Sequence, residues 1–124
     1  MEDYMVEKIL DKRIIDMVRI HDIFGDDDAA IREFFLGFIE ATTELLKDIK
    51  KAISTKDEQL AKVSLHRLKG SAGNSGVMGI HKLCIKAEEE LAENNWTGLE
   101  SHYQDICEIF KKLQERLKET NIPL

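Results

Sequence analysis

Four histidines, two cysteines and one glycine-rich stretch are the residues of this chain whose types invite chemistry. The histidines are His21, His66, His81 and His102. A di-metal centre inside a helical bundle would use Glu-x-x-His pairs projecting inward. The residues three before each histidine are Val18, Val63, Met78 and Leu99, so that centre is disfavoured. No His-x3-His or Cys-x2-Cys spacing occurs, and a local zinc site lacks support. The stretch Gly70-Ser71-Ala72-Gly73-Asn74-Ser75-Gly76 holds no Gly-Lys-Ser/Thr and falls within or after a helical pattern. A phosphate-cradling loop between strand and helix is therefore a poor fit. Cys84 and Cys107 fall on or beside apolar stripes and read as core packing.

His66 is left, and a helical wheel places it. With His66 at zero and about 100° per residue, Leu65, Ala72, Ala61 and Leu68 fall between about −100° and −160°, the buried arc. His66 then points outward or sits at the rim. On the same wheel Lys62 lies at about −40°, Lys69 at about −60°, Gly70 at about +40° and Val63 at about +60°. An exposed, neutral imidazole is a nucleophile. Gly70, one turn on, puts no side chain against the outer ring nitrogen. Lys62 and Lys69 can set positive charge beside an anion held there, and a phosphoryl group brings about two negative charges. Spacing alone leaves a second reading open: a surface histidine among solvated lysines, with Gly70 serving helix packing.

The elements that must carry this face are helices. At 124 residues the chain reads as one domain, 1–124. Charged residues make up 34%, above the average of about 25% for soluble domains, which suits helices with a charged surface. A single proline, Pro123, leaves nearly every segment free to be helical. Ile14, Ile15, Val18 and Phe24 suggest a short helix within 8–23, stopped by Gly25. Asp26, Asp27 and Asp28 suit the start of the next, whose stripe from Ile31 to Ile53, with Thr42 filling it, predicts a helix over 27–53. Thr55-x-x-Glu58 reads as a capping box opening the His66 helix, which should last until Asn74. Ile80, Leu83, Cys84, Ala87 and Leu91 predict a helix over 79–93. Thr97-x-x-Glu100 reads as a second capping box, before a stripe of Leu99, Tyr103, Ile106, Phe110, Leu113 and Leu117. Trp96 reads as a staple at that helix entrance. No segment alternates as a strand does. The expected fold is all-α: an antiparallel up-down four-helix bundle with a shorter N-terminal helix as a lid.

The charge balance is 18 basic against 24 acidic residues, a net −6. That disfavours nucleic acid as a partner, since such binding needs a basic field. No apolar run approaches the roughly 18 residues of a membrane span. Two cysteines are too few for a disulfide scaffold, and the acidic start Met1-Glu2-Asp3 does not read as a signal peptide. A reducing, cytoplasmic setting is the expectation.

Leu65-His66-Arg67-Leu68-Lys69-Gly70-Ser71-Ala72, followed by Gly76, resembles the signature of histidine phosphotransfer (HPt) domains. These are four-helix bundles that relay phosphoryl groups in two-component signalling. The resemblance covers most of the chain. It implies that His66 accepts and donates the phosphoryl group, that Lys69 stabilises its charge and that Gly70 keeps the histidine accessible. Gly76 would be a later small residue where the chain passes close to a neighbouring helix, and Ser71 and Ala72 small packing positions. Ser75 departs from the pattern, which is usually apolar there, and implies a looser helix end. The resemblance further implies a phosphocarrier rather than an enzyme, with no cofactor or metal of its own. The partners would be receiver domains of response regulators or hybrid sensor kinases, which supply the Mg²⁺ and the aspartate. Lys62 would support the site; Val63, Arg67, Lys82 and Lys86 are candidate docking residues, and a monomer is expected. His21, His81 and His102 read as surface or rim. The competing readings are a pseudo-HPt adaptor that binds without phosphotransfer, and a metalloprotein motivated by the histidines and carboxylates.

Overall fold

The computed structural model of the protein describes Gly25 and residues 27–119, with backbone alone for residue 28 and for 116–119. The helix expected within 8–23, with His21, lies outside the described residues, as does the Leu117 side chain. Gly25 holds a φ of +61°, a left-handed conformation that glycine adopts without strain. Four helices follow: α1 (Asp28–Thr55), α2 (Glu58–Ser75), α3 (Met78–Ala92) and α4 (Trp96–Glu119). No strand occurs among the described residues.

The caps show why the chain turns where it does. The Asp27 side chain accepts from the Ala30 amide at 3.1 Å and opens α1. Neither expected capping box forms. Thr55 is the last residue of α1, and its hydroxyl donates to the Lys51 carbonyl at 2.8 Å. Lys56 takes a φ of 54°, and the amides of Lys56 and Asp57 return to the carbonyls of Ile53 and Ala52. This satisfies the free carbonyls of the helix end. Asp57 then caps α2, accepting from the Leu60 amide at 3.0 Å. Likewise Asn95, not Thr97, accepts from the Gly98 amide at 3.0 Å and opens α4. In both places the capping oxygen comes from the last residue before the new helix, which stands three residues before the amide it accepts from.

Each helix packs against the next in sequence, and α1 also touches α4. The shared core holds Phe35 and Ile49 from α1, Leu65 and Leu68 from α2, Ile80 from α3, and Leu99, Ile106 and Leu113 from α4. Each such side chain contributes roughly 1.5–3 kcal/mol of burial. Val77, in the α2–α3 link, is also fully buried. The Tyr103 hydroxyl donates to the Leu46 carbonyl at 3.3 Å and ties α4 to α1. Thr42 fills the α1 stripe as the spacing predicts, with a buried hydroxyl that meets no partner among the described residues. Trp96 is half-buried against the core, with the Lys56 ammonium 5.2 Å from its ring centre.

Candidate phosphoryl-acceptor site on α2

The wheel orients α2 correctly. Ala61, Ser64, Leu65, Leu68, Ala72 and Ser75 are buried, and Lys62, His66, Arg67 and Gly70 are exposed. Val63, Lys69 and Ser71 are half-buried at the edges of that face. His66 stands in an open depression lined by Gln59, Lys62, Val63, Arg67 and, from α3, Glu88. Two cations, an apolar methyl pair and one carboxylate therefore surround the imidazole.

Lys69 does not line that depression. Its ammonium sits 2.8 Å from Glu88 Oε1, an ion pair across the α2–α3 seam. Below the pair lies Cys84, fully buried. Burial, and secondarily the Glu88 charge, push its thiol up from 9.0 to about 12, against a smaller opposing pull from Lys69. The sequence reading of Cys84 as core holds, and its thiol stays protonated and inert. Cys107 is half-buried and free.

Gly70 has a different basis from the packing alternative. A Cβ built there would meet nothing within 4 Å. The glycine is therefore not needed for helix packing in the free domain, nor would a methyl touch the His66 ring as it lies. Gly73 is the packing glycine. A Cβ there would fall 2.9 Å from His81 Nδ1 and 3.1 Å from Cε1. His81, expected at the surface or rim, is half-buried: it crosses from α3 and its Nδ1 lies 3.0 Å from the Lys69 carbonyl. A carbonyl only accepts, so Nδ1 carries the proton of this bond. Gly76, expected where the chain passes close to a neighbouring helix, is buried. Its φ of 76° closes α2, and the amides of Gly76 and Val77 reach the carbonyls of Gly73 and Ala72. The buried Ser75 and this closed cap make the end of α2 tighter than the Ser75 departure implied.

Lys82 and Lys86 are exposed on α3, but neither lines the depression, whereas Val63 and Arg67 do. His102 is half-buried, with Nε2 3.9 Å from Glu90. Glu88 is the residue that sequence reasoning missed. It lies beside Ala87 at the edge of the α3 stripe, and spacing within α3 cannot tell which residue of α2 it faces. Among the described residues no group of three or more His, Cys, Asp or Glu could hold a metal ion. Nor is any helix among them long and apolar enough to cross a membrane.

Comparison with known proteins gives one match. Neither curated proteins nor solved structures returned a similar chain. Among protein families, the Hpt domain matches residues 33–120, most of the chain and all of α2 and α3. These modules act as phosphocarriers in two-component phosphorelays and generally interact with receiver domains. By the span of that match, with the exposed-histidine face of α2 inside it, the chain belongs to the Hpt domain family.

Proposed function

We propose that His66 takes a phosphoryl group from the aspartyl phosphate of one receiver domain and gives it to the aspartate of another. The observation that carries this reading is the exposed imidazole in a depression rimmed by Lys62 and Arg67, on an otherwise acidic chain. The exposed ring nitrogen attacks phosphorus with its lone pair. An N–P bond forms, the P–O bond to the aspartate breaks, and the carboxylate leaves with the electron pair; the other ring nitrogen keeps its proton. The reverse step, at a second receiver, discharges His66. Such transfer is mostly positioning and charge stabilisation. In this family the Mg²⁺ and the acceptor aspartate come from the receiver. This chain supplies the nucleophile, the cationic rim and an apolar contact at Val63.

Gly70 leaves open space one turn after His66, which suits a partner surface closing over the ring. The short links between helices support the up-down bundle, with the domain acting as a cytoplasmic monomer. The pseudo-HPt reading is weaker, because a module that only binds has no use for a reactive imidazole beside two cations. The test is incubation with a phosphorylated receiver domain. Wild-type protein should take up acid-labile, alkali-stable phosphate, and His66→Gln should take up none. Equal labelling of both proteins would overturn the assignment.

A further inference from the structure

We infer that Glu88 is a positioning residue that holds Lys69 away from His66 in the resting protein and surrenders it when His66 is phosphorylated. This rests on the phosphorelay reading above. The resting state shows half of the exchange. Lys69 Nζ lies 2.8 Å from Glu88 Oε1, with the two side chains 29% and 26% exposed. Glu88, not Lys69, forms the wall of the depression beside His66. A phosphoryl group arriving on the imidazole thus meets a carboxylate on that wall, with the Lys69 ammonium tied to it. The phosphoryl brings about two negative charges against one on Glu88, so it competes for Lys69 from the stronger side.

Surrender has a cost, and the cost is where the use lies. Glu88 Oε1 is shut off from solvent and meets no donor besides Lys69 among the described residues. Once Lys69 turns to the phosphoryl group, Glu88 is left partly buried and unpaired, which is unfavourable. Lys69 therefore stabilises phosphorylated His66 less than a free lysine would. The phosphoryl group stays easy to pass on, and no receiver contact is needed to make it so.

The test uses full-length protein phosphorylated on His66 with phosphoramidate, a small-molecule donor. Loss of label to water and the equilibrium with a receiver domain are followed for wild type, Glu88→Gln, Lys69→Ala and the double variant. Glu88→Gln should lengthen the phosphohistidine half-life and shift the equilibrium towards this domain by about threefold, the effect of one partly exposed charge pair. In the Lys69→Ala background the same substitution should shift both quantities by clearly less, because only the direct repulsion from the Glu88 carboxylate is then left to remove. Should Glu88→Gln melt early, Glu88→Met removes the charge at similar length and must give the same result. Unchanged values in both, or an equal shift with Lys69 absent, overturn the inference while the relay reading stands. If wild type exchanges no phosphoryl group with any receiver, the relay reading falls and takes this inference with it.

Discussion

Replacing Gly70 by alanine separates what the fold requires from what a partner requires. Gly70 is the thirteenth of the 18 residues of α2, is exposed, and has no positive φ. Its added Cβ would meet nothing within 4 Å. The steric cost in the free domain is therefore nil. What remains is the backbone term: glycine in a helix interior is less favourable than alanine by roughly 1 kcal/mol. For a chain of this size that is a rise in melting temperature of about 4 °C. Thermal unfolding followed by circular dichroism reads it directly. The same protein should transfer phosphoryl groups more slowly, since the methyl projects one turn from His66 into the space a receiver must occupy. A lower melting temperature would refute the claim that the space is empty. A raised melting temperature with unchanged transfer would refute the claim that a partner uses it.

Gly73→Ala gains the same backbone term yet should lose about 1–3 kcal/mol net, because its methyl collides with the His81 ring; chemical denaturation should show the loss, and adding His81→Ala should recover most of it. The Cys84 thiol gives a pH dependence. An unfolded chain sheds this proton above pH 9.0, whereas the native protein holds it to about 12. Unfolding therefore binds fewer protons, and stability falls as pH rises from 9.0 towards 12, with a limiting slope of about 1.4 kcal/mol per pH unit. Burial also pushes the Tyr103 phenol above its ordinary value, so Cys84→Ala should shallow the alkaline loss of stability without abolishing it; an identical pH profile would show that the thiol is not the group responsible.

The sequence by itself determined the helices and the outward face of α2. Apolar steps of three and four mark Ile31, Phe35 and Phe38 or Leu65, Leu68 and Ala72 as buried whatever they pack against, since a helix surface is set by its own period. The same period put His66, Lys62 and Gly70 outside. Its reach ended at the turns, where Asp57 and Asn95 displaced Thr55 and Thr97 as caps. Those choices depend on left-handed residues at Lys56 and Asn94, which periodicity does not carry. Only the tertiary structure decided the seam between α2 and α3. The wheel gave Lys69 to His66, yet Glu88, 19 positions on, holds it. His81, which the sequence suggested to be at the surface or rim, fills the notch at Gly73. Which side chains meet across two helices depends on their rotation and offset against each other, and a repeat within one helix is silent about both.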